Sequence, residues 1–434
     1  MKLVELINRP VVLDKTVIKF LLNVGVVEAS ARAILRLSPK PKLVIEFDLP
    51  SDAYEASNEI RSKPDVKITL AKGQEITALV GDYYLITSDK VSGVLVPEDQ
   101  PLTVLNVSAA IYRCKFAVIN LTNLWGSEDI KFSKDGRNLI TQHFKIETFP
   151  WLIEITGVNR VMSLDLKMRL EGGSAITHCG SIRRTDGLDF DSAQLVPLLE
   201  ALHLFLSFVR GSYCGLALIS GRKASGKRVW QQWGTYKVEP WKRPLPGWAP
   251  LSQSESLSLV FQGFWDRLND AQWGETVTKV MNWYLRSNES DEAEVGIILT
   301  QSALESLTFK TVGKKPKGTT EGAWIASALR KMGIDEKLPP ECCELLTLQN
   351  RFNWTHGPHA LVKLRNNLIH ADNRLGHVNS DAHWEAWNFG QWCVEMMLLK
   401  LFNYTGEYTN RIIHGREHTP KIQVIPVPWA PPKT

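Results

Sequence analysis

Residues 240–250 read Pro-Trp-Lys-Arg-Pro-Leu-Pro-Gly-Trp-Ala-Pro, and neither a helix nor a central strand can run through them. Proline fixes φ and lacks a backbone N–H, so four of them in eleven residues break both kinds of hydrogen-bond ladder. The texture of the chain changes across this stretch. Upstream it moves in short runs rich in β-branched residues, and downstream its apolar residues recur at helical spacing. At 434 residues the chain also exceeds one ordinary core. Two domains are therefore expected, 1–250 and 251–405, followed by a Pro-rich C-terminal tail over 406–434.

In the upstream half, strands are expected over 43–47, 66–70, 93–96, 102–105, 112–119, 151–155 and 162–168. Several alternate apolar and polar residues, as a sheet with one wet face does. A sandwich-like β domain is the expectation. A helix should follow over 191–209, with Asp191 as N-cap and Gly211 as its stop, and then strands over 216–220 and 229–238. The fold class predicted for the whole chain is α+β, with a β-rich domain ahead of an all-α bundle.

Downstream, helices are expected over 256–268, 275–286, 291–309, 321–332, 341–346, 358–370 and 383–403. Asp291 with Glu294 three residues on forms a capping-box pattern for the third. The connector Lys310-Thr-Val-Gly-Lys-Lys-Pro-Lys-Gly318 is basic, read as a solvated loop able to touch phosphates.

Chemistry concentrates in Arg365-Asn-Asn-Leu-Ile-His370. Wound as a helix, Leu361, Leu364 and Leu368 share an apolar stripe, while Asn366 and His370, about 40° apart, stack on the polar side. Arg365 falls at the margin of the stripe, where a guanidinium needs an anionic partner. Glu305, on a stripe with Ile298 and Gln301 of the helix over 291–309, is the expected one. Lys363, His356 and His359 are the expected substrate-binding set near the mouth of the cleft.

Arg, then Asn, then a His a few residues on, placed on a core helix of a small bundle, resembles the signature of the HEPN superfamily. Trp283-Tyr284, Gln301-Ser-Ala-Leu-Glu305 and the long helix after the motif agree with it. The resemblance covers about 255–404. A β-rich region ahead of such a bundle is most similar to the ApeA-type abortive-infection proteins of bacteria. The resemblance implies a metal-independent endoribonuclease with Arg365, Asn366 and His370 as the catalytic set, no cofactor and no metal. It also implies a two-fold dimer that brings two motifs to one cleft, because one His does not readily serve as both base and acid. RNA is then the partner, the β-rich domain binds an undefined trigger, and phage defence by host shutdown is the setting. The alternatives are a non-catalytic RNA-binding or dimerisation module, and the toxin of a toxin–antitoxin pair.

Other patterns point elsewhere. Net charge is +5, compatible with nucleic acid without requiring it. The apolar stretch 11–27 is interrupted by Asp14, Lys15 and Lys19, and the run 196–209 is short for a span, so a cytoplasmic protein without a membrane is expected. Six cysteines show neither disulfide nor zinc spacing. Gly221-Arg-Lys-Ala-Ser-Gly-Lys227 imitates a phosphate-binding loop, yet Arg228 stands where Ser or Thr is needed and a strand follows. It reads as a basic β-turn. Pro358 keeps His356 and His359 off a shared helical face, against zinc. Trp230, Trp233, Trp241 and Trp248 are expected in the core or the domain seam.

Overall fold

A pair of long strands opens the fold, ahead of the first strand expected from the sequence. The computed structural model describes residues 7–50, 52–70, 73–86, 90–105, 108–121, 130–132, 138–140, 142–158, 161–241, 247–250, 256–370, 375–376, 378–413 and 423–430. Strands β1 (Val11–Leu22), β2 (Gly25–Arg36) and β3 (Lys42–Pro50) are followed by helix α1 (Tyr54–Arg61) and strands β4 (Asp65–Thr69), β5 (Glu75–Ile86) and β6 (Lys90–Pro97). These six close in the order β1-β2-β3-β6-β5-β4. Period-2 alternation supplies the lining: Ile18, Phe20, Ala29, Ala31, Ala33, Leu43, Ile45 and Phe47 are buried. Small residues on β2 accommodate the large rings of its neighbours, and Phe20 meets Phe47 edge-on at 5.0 Å. Gly93 on β6 leaves the space Phe47 fills, since a Cβ there would lie 2.6 Å from the ring.

The expected sandwich is therefore a closed barrel joined to an open sheet. The sheet contains β7 (Leu102–Leu105), β8 (Arg113–Ile119), β11 (His143–Thr148), β12 (Trp151–Gly157), β13 (Ile176–Arg184), β14 (Gly215–Arg222) and β15 (Arg228–Thr235). Its order is β11-β12-β13-β8-β14-β15-β7, and all pairs are antiparallel. Short strands β9 (Ile130–Phe132) and β10 (Asn138–Ile140) pair with each other. Val11, Leu35 and Leu37 of the barrel pack with Ala117, Ile119, Ile176 and Ala217 of the sheet. Trp230, Trp233 and Trp241 are 0%, 4% and 4% exposed; Trp233 packs in the barrel core, and Trp241 packs with Leu164 and Met168.

The expected strand over 162–168 is instead helix α2 (Val161–Glu171). Leu164 and Met168, four apart, are buried with Trp241, while Leu166 and Leu170 are exposed. A short apolar–polar alternation fits either period, and packing against Trp241 selects the helical one. Helix α3 (Ser192–Arg210) follows, with Asp191 Oδ1 accepting the Gln194 N–H at 2.9 Å as its cap and Gly211 at φ +82° after its end. By length and composition α3 could cross a membrane, but 67% of its apolar window is buried.

His178 on β13 is 0% exposed, and neither ring nitrogen has a hydrogen-bond partner among the described residues. Burial pushes its pKa down to about 3. The unfolded chain therefore takes up a proton below about 6.5 that the folded chain refuses, so stability is full above that pH and falls with acidification. At pH 5 this one ring should lower unfolding free energy by about 2 kcal/mol. Denaturant titrations at pH 7 and pH 5 measure it, and His178→Leu should remove that part of the pH dependence. An unchanged dependence would assign it to other groups.

The chain divides into two units, one chiefly of Met1–Asn123, Glu128–His203 and Cys214–Pro244, the other chiefly of Leu204–Tyr213 and Leu245–Thr434. The division falls inside the proline-rich stretch 240–250. The second unit is helical: α4 (Ser256–Leu268), α5 (Gly274–Glu289), α6 (Ala293–Val312), α7 (Glu321–Lys331), α8 (Cys343–Phe352), α9 (Gly357–Ile369) and α10 (Ser380–Leu401). Thus the chain is α+β, β-rich first and helical second. The N-cap of α6 is Glu292, without a side-chain cap bond, and not the expected Asp291. Helix α10 is buried almost all round from Ala386 to Leu399, as the central helix of a bundle must be. Trp248, at 0% exposed, packs on Phe208 and Tyr404 within this unit.

The expected tail from 406 onward is in part folded. Strands β16 (Glu407–Thr409) and β17 (Val424–Pro426) pair, and a 3-10 turn (Arg411–Ile413) follows β16. Arg411 from this segment is 2% exposed and forks onto Glu395 of α10, with Nη2–Oε1 at 2.7 Å and Nε 3.1 Å from each oxygen. Tyr284 donates to the same carboxylate at 2.6 Å, and Asn288 accepts from Arg411 at 3.2 Å. A buried charge requires such full pairing.

Candidate functional site

Helix α9 carries the residues singled out from the sequence. Its start is set by His356, whose Nδ1 accepts the His359 N–H at 3.1 Å, and by Pro358 in the first turn, where a missing N–H is harmless. Leu361 and Leu364 are 1% and 0% exposed and face the core, whereas Leu368 is half-buried. Around α9 stand α6, α7, α8 and α10.

Arg365 is half-buried. Its Nη1 donates to Asn366 Oδ1 at 3.0 Å, and its Nε is buried without a partner among the described residues. Asn366 therefore orients the guanidinium, a role the sequence left open. Glu305 on α6 is also half-buried and accepts from Gln301 Nε2 at 2.8 Å. Burial raises the Glu305 carboxyl above its usual range; the Gln301 bond opposes this, Glu321 adds to it by charge and by a shared hydrogen bond, and Arg365 opposes it by charge. The expected direct Glu305–Arg365 ion pair is thus not formed. Gln301 and Glu321 occupy the Glu305 carboxyl, and Arg365 acts on it only through space.

Glu321 is the residue that the sequence reading missed. Thr320 caps α7 by accepting the Ala323 N–H at 3.2 Å, which puts Glu321 in the first turn, where the helix dipole favours a carboxylate. Gly322 then lets α7 close on α9, since a Cβ there would lie 2.8 Å from His359 Cα. The signal available was the Thr320-Glu321 start; what it could not give was the neighbour. Glu321 thus adds to the upward push that burial exerts on the Glu305 carboxyl.

His370 closes α9 rather than continuing it. It is the C-cap residue, with ψ at 134°, and its backbone N–H donates to Asn366 O at 3.0 Å. The expected side-chain stack of Asn366 and His370 on one helical face is replaced by this backbone link, because the chain has already left the helix. The imidazole is exposed and makes no hydrogen bond to a described residue. Residues 371–374 and His377 lie outside the described residues.

His356 and His359 come together through the cap, not through a shared helical face, with ring centroids 5.8 Å apart. Burial lowers the pKa of both, helped by His359 at His356 and by Lys363 at His359. Both are therefore neutral hydrogen-bonding rings near pH 7. Lys363 is exposed on the same turn of α9. The α6–α7 connector is likewise exposed at Lys314, Lys315 and Lys317, while Trp324 Nε1 holds its Gly313 carbonyl at 3.1 Å. The arrangement offers a guanidinium without a direct carboxylate, a neighbouring carboxyl raised by burial and an exposed imidazole.

Two family models match parts of the chain: the YopA central domain over residues 106–244 and the YopA C-terminal domain over residues 270–420. The chain is also similar to the SPbeta prophage-derived uncharacterized protein YopA of Bacillus subtilis (strain 168). Identity is 24% over 335 residues, covering 75% of this chain and 73% of that protein. No solved structure matches. The central-domain match begins after the barrel strands and spans the open sheet except its edge strand β7. The C-terminal match contains the whole Arg365–His370 segment.

Proposed function

We propose that the helical region is a HEPN-type endoribonuclease that cleaves RNA by attack of the 2′-OH on the adjacent phosphodiester. The observation that carries this reading is Arg365: half-buried, steadied by Asn366, and not neutralised by a carboxylate in contact. A guanidinium in that state suits a phosphate, whose oxygens match its fork of donors. Arg365 lies in the last turns of α9 and His370 caps its end, so the two side chains start close along the chain and would converge on a single phosphodiester. An imidazole can serve as the base that takes the 2′-OH proton, and His370 supplies one. The five-coordinate phosphorus then gains charge, which Arg365 stabilises, and the 5′-oxygen leaves with a proton supplied by a second group. A two-fold dimer would provide that group as the second copy of His370.

Products are a 2′,3′-cyclic phosphate and a 5′-hydroxyl. The prophage origin of the Bacillus subtilis relative suits a role in conflict between phages and their hosts. The β-rich region would then restrain the nuclease until a trigger arrives, in the cytoplasm where RNA is met. Full-length protein incubated with RNA in excess EDTA is expected to cut it and leave those ends. RNA bound but left intact would replace the enzyme with a binding module, and cutting that EDTA abolishes would replace the mechanism.

A further inference from the structure

The open sheet carries an arrangement of charge that the nuclease reading does not use. Arg222 on β14 pairs in register with Arg113 on β8 and with Arg228 on β15. Arg183 on β13 stands one step beyond the last paired residues, Ile182 and Cys114, and so next to Arg113. Residues opposite one another on adjacent strands share a face, and like charges so placed repel. Four arginines thus lie side by side across β13, β8, β14 and β15. Lys115, the next outward residue on β8, is exposed, as are Lys223 and Lys227 in the β14–β15 turn. That turn is the segment whose sequence imitates a phosphate-binding loop.

None of the four arginines forms an ion pair among the described residues. Arg222 Nη1 donates to the Gly226 carbonyl at 2.8 Å, and Nε of both Arg113 and Arg222 is buried without a partner. Arg184, one residue beyond Arg183 and on the opposite face, shows the contrast. It is held by Asp186, with Nε–Oδ1 at 2.9 Å, and lies over Trp151 at 5.7 Å. Of the acidic residues on the arginine face, Glu154 stands on β12 diagonal to Arg183 and Glu147 on the edge strand β11; neither forms an ion pair with the four arginines among the described residues. Exposed rings lie at the same end: Tyr112 before β8 and Phe149, 82% exposed, in the β11–β12 turn.

We infer that this end of the sheet binds the phosphate backbone of single-stranded RNA. Four adjacent strands span about 14 Å, too far for one phosphate and suited to a run of them. Unpaired cations flanked by exposed rings are the combination by which single strands are held without regard to sequence. The choice of RNA over DNA rests on the ribonuclease reading; the binding face itself does not.

The test is fluorescence anisotropy of a labelled single-stranded RNA with the full chain carrying His370→Ala, so that binding is read whether or not the enzyme cuts. Arg113→Ala with Arg222→Ala is expected to weaken binding about tenfold and to lower the slope of log affinity against log salt by about 1.4. Arg113→Lys with Arg222→Lys should retain most of the affinity, which separates charge from folding. Lys19→Ala on the barrel, whose lysine pairs with Glu28 at 2.8 Å, should leave it unchanged. Binding unaffected by the arginine changes, binding to single-stranded DNA but not RNA, or binding only to phosphatidylserine vesicles would each overturn the proposal. Binding of this kind in a chain with His370 in place that leaves the RNA uncut would instead count against the nuclease reading alone.

Discussion

Arg365→Ala is expected to lower the rate of RNA cleavage about a thousandfold, the scale on which loss of a charge-stabilising donor is felt in a reacting site. His370→Ala should lower it to a similar extent by removing the proton acceptor. The two should not add, because each disables the same step. Binding of uncut RNA should change far less in either, since most phosphate contacts lie elsewhere. Asn366→Ala tests the steadying role of its amide, which accepts from Arg365 at 3.0 Å. It should give a smaller loss of rate, because the guanidinium remains but is less well aimed. Cleavage rates measured in excess EDTA decide the matter: full activity in Arg365→Ala would remove this residue from the chemistry. Mixing His370→Ala chains with unsubstituted chains tests the composite site: a dimer with one His370 lacks either base or acid, so activity should fall faster than the fraction of unsubstituted chains.

Glu395→Ala is expected to destabilise the helical unit by about 3–5 kcal/mol, a large share of the stability of any domain. The reason is Arg411, which would remain buried at 2% exposed with its main counter-charge gone. Arg411→Ala should act comparably, leaving Glu395 charged or forcing it to take up a proton. Burial already pushes the Glu395 carboxyl upward, and Arg411 with Tyr284 opposes that shift. The double change Glu395→Met with Arg411→Met should restore most of the loss, because a well-packed apolar pair needs no partner. Denaturant midpoints of the native chain, Glu395→Met, Arg411→Met and the double change make a complete cycle. Simple addition of the two losses would show that the pair acts separately.

The helices of the second unit were the most legible part of the chain. Helix α4 spans Ser256–Leu268 as expected, and α7, α9 and α10 differ from expectation by a few residues at their ends. Their apolar residues recur at helical spacing and their ends carry recognisable caps, so local chemistry suffices. The first cap on α6 was misplaced for the opposite reason: Asp291 and Glu292 are adjacent, both acidic, and only the packed helix decides between them. At the candidate site, Arg365, Asn366 and His370 could be read from one short segment. Glu321, 44 positions before Arg365 and on another helix, could not, since its importance comes only from standing against Glu305.

The sequence by itself determined which segments of the second unit are helical and that a guanidinium and an imidazole stand five residues apart in one short motif. These depend on residues close along the chain. Tertiary structure alone decided that the early strands close into a barrel, that residues 161–171 wind into α2, and that Arg411 returns to Glu395. It also decided that Arg113, Arg183, Arg222 and Arg228 stand in one row. Each is a matter of which distant segments become neighbours, and strand alternation or charge looks the same in sequence whatever lies beside it.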